Sequence, residues 1–241
     1  MSGILNRREF VLGGAAAAGL VTPRKGFGKA PAVINQSVAP VVISDRSGVA
    51  YRNGGSHTCI ERAFELITNG EDVLDSILSG INIVEDDPEE SGVGYGGTPN
   101  ADGVVQLDSC CMHGPRKQAG GVGAIEGVRN PSLVAKAVMD HTDHHLLVGQ
   151  GAQDFARNMG FLIEDDLNTP RTRERWLEWK RRIDPNHYLD PTQRSWLGYE
   201  AALEMLAEGL ADESHFWGTV NCDAIGPNGD ICGVTSTSGL A

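Results

Sequence analysis

Basic charge is scarce in this sequence: 20 Lys and Arg stand against 32 Asp and Glu, for a formal net charge of −12. That balance argues against nucleic acid or an anionic membrane as a main partner, since both require a basic face. The five cysteines contain no CxxC pair, which argues against a zinc ribbon or a thioredoxin-like motif. Cys222 and Cys232 flank a turn and could face each other across a hairpin, but all five read best as small buried apolar side chains. The glycine-rich stretch Val93-Gly94-Tyr95-Gly96-Gly97 has no GK[ST] after it and is neither a P-loop nor a dinucleotide fingerprint. Internal repeats are also missing. Glycine, by contrast, is plentiful at 31 of 241 residues, which points to tight turns and close backbone approaches rather than disorder. The length is sufficient for a sizeable core.

A long hydrophobic run is lacking as well. The apolar stretch at 11–21 is Ala/Gly-rich and shorter than the roughly 20 residues a spanning helix needs. It follows Arg7-Arg8 and precedes Arg24, Lys25 and Lys29. A basic start, a mildly apolar middle and a basic trailing segment resemble a twin-arginine export signal. Residues 1–32 are therefore read as an address, removed near Ala30-Pro31-Ala32, and the protein as periplasmic or secreted.

Beyond residue 33 the chain alternates strand and helix signals. Residues 41–44 form a short β-branched apolar run, read as a buried strand. Thr58 with Glu61 three residues later is a capping box, and Asn69-Gly70 a helix stop. Val73, Ile77, Ile81 and Val84 recur at helical spacing before Pro88. Strands are expected at 104–112, 121–125 and 146–148. Asn130-Pro131 marks a helix start with Asn as the N-cap, and a short helix is expected at 153–159. Residues 163–215 read as a partly helical connector, with helices near 171–182 and 199–210. The alternation indicates a layered domain of mixed α and β structure.

The strongest chemical signal is at 218–241. Thr219, Asn221 and Asp223 alternate with Val220, Cys222 and Ala224, the period of a strand. The cluster Gly226-Pro227-Asn228-Gly229-Asp230 is a turn, and 231–237 a second strand. A three-residue loop with Gly229 left-handed pairs Gly226 with Asp230 and so brings Thr219 opposite Thr237. A two- or four-residue loop opposes Thr219 to Ser238 instead. A threonine hydroxyl needs a base to become a nucleophile. An N-terminal threonine carries one in its own α-amine, which titrates near ~7.7–8.0. Exposing that amine requires cutting the Gly218–Thr219 bond, by attack of the Thr219 hydroxyl on the Gly218 carbonyl. On local chemistry alone the case is weak, since Gly-Thr pairs are common and a strand beginning after a glycine is the better account of this one.

Longer blocks carry a resemblance. Ile83-Val84-Glu85-Asp86-Asp87-Pro88, then VGYGGTPNADGVVQLDSC, NPSLVAKAVM, LLVGQGAQDFA and the C-terminal GTVNCDAIGPNGDICGVTSTSGLA resemble the glycosylasparaginase family of N-terminal nucleophile (Ntn) hydrolases in order and spacing. The resemblance implies an α+β chain folded as an αββα four-layer sandwich and a homodimer of cleaved protomers. It also implies hydrolysis of the N4 amide of N-acetylglucosaminyl-asparagine without metal or cofactor. It makes Gly218–Thr219 the self-cleavage bond, Thr219 the nucleophile and Thr237 the hydroxyl that supports it. Residues 33–218 then belong to the α-subunit and 219–241 begin the β-subunit. The family's groups for the substrate's α-carboxylate and α-amine, and a Thr-Gly pair at the oxyanion hole, are expected beyond Ala241, which leaves the sandwich incomplete here. A tryptophan that lines the substrate site in some members has no match in Ile43-Ser44-Asp45-Arg46-Ser47.

Two readings compete within this frame: an isoaspartyl peptidase/L-asparaginase, or a fragment without turnover. Outside it, His141, Asp143, His144 and His145 could suggest a metal only if a helix aligned them; a surface turn at a helix end is the reading adopted. Residues 171–182 mix Trp176 and Trp179 with basic side chains, but their Glu residues favour a solvated connector helix over a nucleic-acid surface.

Overall fold

The computed structural model describes residues 37–184, 194–211 and 218–238. The expected export signal at 1–32, and part of the connector, lie outside the described residues. The strands are β1 (Val41–Ser44), β2 (Gln106–His113), β3 (Gln118–Glu126), β4 (Leu147–Val148), β5 (Thr219–Ile225) and β6 (Ile231–Ser238). They form one sheet in the order β1-β5-β6-β2-β3-β4, antiparallel throughout except for β3 against β4. The helices are α1 (Arg46–Ala50), α2 (Cys59–Thr68), α3 (Val73–Glu85), α4 (Pro131–His141), α5 (Gly149–Asn158), α6 (Pro170–Ile183) and α7 (Arg194–Ala207).

The two-residue period decides which sheet face is buried. Val220, Cys222 and Ala224 of β5, Cys232 and Val234 of β6, and Leu107 and Cys111 of β2 point to one face and are buried. There α3 packs across β5 and β6, and α4 and α5 across β3. Leu74, Ile77, Ile81 and Val84 of α3 join those strand residues in one core, each contributing about 1.5–3 kcal/mol by burial. Strand register puts Val41, Ile43, Met112, Val148 and Ile231 on the opposite face, and all five are exposed. The described residues thus make an α+β unit of one helix layer on one sheet, with the other sheet face open.

Local chemistry explains most element ends. Thr58 accepts from Glu61 N and donates its own N–H to the Glu61 carboxylate at 2.8 Å, closing the capping box. Gly70, at φ 91°, follows α2 as its stop. The 226–230 turn has the three-residue form: Gly226 N donates to Asp230 O at 2.8 Å and Gly229 sits at φ 81°.

Several expectations need correction. β3 begins at Gln118 rather than at 121. Gly120 is required there because α4 lies directly on the strand: a Cβ on it would meet Ala135 O at 2.2 Å. Helix α5 starts at Gly149 rather than near 153, its glycines hiding the helical pattern. Short α1, held by Asp45 accepting from Gly48 N, was not anticipated. Asn130 makes no side-chain cap on α4. The acceptor at that helix end is Glu85, whose Oε1 receives Ser132 N at 3.2 Å. Cys232 pairs with Ala224 rather than Cys222, and Cys110 is exposed, unlike the other four cysteines. Because α4 ends at His141, His141 and His145 share no helix. The connector helices are more than solvated surface: Trp179 and Ile183 of α6 pack on Ala201 and Met205 of α7 as a small core of their own.

Candidate active site

Thr219 opens β5, between β1 and β6, and its Cα partner on β6 is Thr237. In β2 the partner of Thr237 is Asp108, so the three residues form a row at one end of the open face. Asn221 and Thr235 form the next row, joined by Asn221 Nδ2 donating to Thr235 Oγ1 at 2.9 Å. Thr219 is half-buried.

The Thr237 hydroxyl links nucleophile candidate and candidate scissile bond. Its Oγ1 is 2.9 Å from Thr219 Oγ1, 2.9 Å from Gly218 O and 3.2 Å from Ser238 O. A hydroxyl has one proton to give and lone pairs to accept with. If Thr237 donates to Gly218 O, the Thr219 proton points at Thr237. A Thr219 lone pair is then free to face the Gly218 carbonyl, which Thr237 polarises. A single side chain therefore contacts both the candidate attacking oxygen and the carbonyl oxygen on which charge would develop if this bond were attacked.

A glycine crossing fixes Gly218. A Cβ built on Gly92 would lie 2.1 Å from Gly218 Cα, and one on Gly218 would lie 2.0 Å from Gly92 Cα. Both positions are restricted to glycine because two backbones touch. Gly218 is not among the residues of positive φ, so it is close approach rather than unusual dihedrals that demands glycine here. Gly92 also accepts from Ser238 N at 2.8 Å, tying its loop to β6 beside Thr237. Thr98 N donates to Ser238 Oγ at 3.1 Å, and Thr98 Oγ1 to Ser91 O at 2.8 Å. The glycine-rich stretch at 93–97 is part of this wrap. Gly94, at φ 52°, packs on the Glu85 backbone, and Tyr95 N donates to Glu85 O at 2.7 Å.

Two buried carboxyl groups underlie the loop, and neither was singled out in the sequence. Glu85 is fully buried and receives five hydrogen bonds: Ser236 Oγ at 2.7 Å, Ser132 Oγ at 2.8 Å, Asn82 Nδ2 at 2.8 Å, Ser132 N at 3.2 Å and Asn130 Nδ2 at 3.4 Å. It ties α3, α4 and β6 together. Burial pushes its carboxyl upward while the donors pull it back. Glu90, 1% exposed, accepts from Gly92 N at 2.7 Å and Ser47 Oγ at 3.0 Å. Burial foremost, then the nearby Asp45 and Asp87, raises its carboxyl above the usual range.

Elsewhere, Cys59 and Cys222 form a buried thiol pair; their mutual hydrogen bond and burial push the Cys59 thiol far upward. A cavity of about 540 Å³, lined in part by Asp102, Glu126, Arg157 and Arg173, shares no residue with the Thr219 row. Among the described residues no cluster of three or more His, Cys, Asp or Glu has a metal-holding arrangement, and no helix is long and apolar enough to cross a membrane.

Comparison with known proteins gives one family match, described as asparaginase, over residues 30–241. The N(4)-(beta-N-acetylglucosaminyl)-L-asparaginase of Elizabethkingia miricola is 34% identical over 98% of this chain and 61% of its own length. That of Mus musculus is 30% identical over 75% and 54%. A plant-type L-asparaginase of Pyrococcus abyssi is 44% identical over a shorter stretch, 46% of this chain and 35% of the relative. The chain thus spans about three-fifths or less of the length of these relatives.

Proposed function

Because the chain belongs to the asparaginase family, we propose that it is an amidohydrolase whose nucleophile is Thr219, exposed when the protein cuts its own Gly218–Thr219 bond. The observation that carries this reading is the Thr237 hydroxyl, 2.9 Å from both Thr219 Oγ1 and Gly218 O. In the cutting step Thr219 Oγ adds to the Gly218 carbonyl carbon through a five-membered ring, and Thr237 stabilises the oxyanion. The C–N bond then breaks, leaving an ester and a free Thr219 amine. Water hydrolyses the ester to a Gly218 carboxylate. The new amine then takes the Thr219 hydroxyl proton as that oxygen attacks a substrate amide.

The substrate in this reading is glycosylated asparagine, cleaved at its N4 amide, as the names of the Elizabethkingia and Mus relatives suggest. A second reading, an L-asparaginase or isoaspartyl peptidase, draws on the 44% identity to the plant-type relative. Incubation of the purified protein with N-acetylglucosaminyl-asparagine and with an isoaspartyl dipeptide separates the two. Aspartate release from the first substrate alone is expected; release from the second alone overturns the choice.

Three further points belong to the same proposal. The exposed Val41, Ile43, Met112, Val148 and Ile231 on the open face of the sheet suit a second sheet layer, as in an αββα sandwich. The cleaved protomers pair as a homodimer. The Arg7-Arg8 segment directs the protein to the periplasm or beyond.

A further inference from the structure

We infer that Glu90 is the group that exchanges the proton, through one water, when the Gly218–Thr219 bond is cut. The inference rests on the self-cleavage reading above and adds to it a partner that Thr237 cannot supply. As Thr219 Oγ adds to the carbonyl carbon it must lose a proton, and as the C–N bond breaks the leaving nitrogen must gain one. The Thr237 hydroxyl, once it donates to Gly218 O, has no further proton to give and is too weak a base to take one. A carboxyl beside the bond performs both transfers and ends the step in the state in which it began.

Position is the main argument. Glu90 Oε1 lies 2.9 Å from the point that a Cβ on Gly92 would occupy, and the Gly218 carbonyl carbon lies 2.6 Å from that same point. No more than about 5.5 Å therefore separates the carboxyl oxygen from the carbon under attack. That upper limit lies within the reach of a carboxyl acting through one water, whose two O–H···O contacts of about 2.7–2.8 Å together span up to about 5.5 Å. The carboxyl is held in place: Gly92 N grips Oε1 and Ser47 Oγ grips Oε2, and Gly92 itself touches Gly218. Charged groups near Glu90 include Asp45 before α1 and Asp87 on its own loop. Arg175 of α6 reaches the adjacent Ser91 at 3.0 Å. With its carboxyl raised by burial, Glu90 is better matched to taking and then giving a proton than an ordinary glutamate.

The test is the first-order rate of self-cleavage of the full chain, followed by intact mass from pH 4 to 8. The wild-type rate should climb as pH rises through a Glu90 midpoint above the ordinary glutamate value of about 4.3. Glu90→Gln, nearly isosteric and able to keep the bond from Gly92 N, should cut at least ~100-fold more slowly and lose that pH dependence. Glu90→Asp should recover part of the rate with a displaced midpoint. Circular dichroism of each variant separates slow cleavage from misfolding, and a flat wild-type profile overturns the assignment without any variant. A folded Glu90→Gln protein that cuts at the wild-type rate also overturns it and leaves the nucleophile reading standing. A wild-type chain that never cuts overturns both.

Discussion

Gly92→Ala tests the glycine crossing directly, and its size follows from the structure. The new Cβ would start 2.1 Å from Gly218 Cα and 2.6 Å from its carbonyl carbon, where ordinary carbon–carbon contacts need about 3.5–4.0 Å. One of the two backbones must therefore move by about 1.5 Å, and neither neighbour is a flexible side-chain end. Overpacking of this kind costs about 1–3 kcal/mol of stability. The effect on chemistry is larger in proportion, because a misplacement of about 1 Å in an attack geometry costs roughly 100-fold in rate. The displaced atom belongs to the scissile residue, and Gly92 also holds Ser238 next to Thr237. Self-cleavage, timed by gel or intact mass, should be at least ~100-fold slower in a protein that still unfolds cooperatively. A Gly92→Ala chain that folds and cuts at the wild-type rate would refute the claim that this contact sets the scissile geometry.

Two further changes bear on the site. Thr237→Val keeps the shape but removes the hydroxyl shared by Thr219 and Gly218; cleavage should fall by about 10²–10³, while Thr237→Ser should keep most of it. Glu85 bears on stability and its pH dependence. Its carboxyl is raised in the fold, so the folded state binds more protons than the unfolded one between the ordinary value and the raised one. Its contribution to stability is fully present below about pH 4.3 and is lost as pH rises through the raised value. Thermal midpoints measured from pH 4 to 8 should show this component in the wild type and lack it in Glu85→Gln. Glu85→Ala should cost at least about 3 kcal/mol, because Ser236, Ser132 and Asn82 lose a buried acceptor, read as a shift in the denaturant midpoint.

The parts of this protein legible in its sequence are those set by near neighbours. The capping box at Thr58 and Glu61 lies within one turn, and the hairpin register follows from five residues, 226–230. The three-residue loop, one of the lengths the sequence allows, is the one that puts Thr237 beside Thr219; a two- or four-residue loop would oppose Ser238 instead. What could not be read there depends on distant segments meeting. Gly92 and Gly218 are far apart in sequence, and although Gly218 is picked out beside Thr219, no local rule makes Gly92 stand out among 31 glycines or pairs the two. Glu85 and Glu90 are buried by contacts with distant segments, Ser132 and Ser236 for the first and Ser47 for the second, which no local pattern announces. The Asn130 cap failed for a similar reason: a carboxylate from α3 had already taken the position at the start of α4. The one long-range signal in the sequence was the stretch at 93–97, where clustered glycines do mark close backbone approach.

The central claim is that this chain cuts itself before Thr219. N-terminal sequencing of the purified full chain tests it most directly. The account predicts a new terminus reading Thr-Val-Asn-Cys, absent from Thr219→Ala. A wild-type chain that stays joined across Gly218–Thr219, or that yields a terminus at any other residue of this strand, would contradict it.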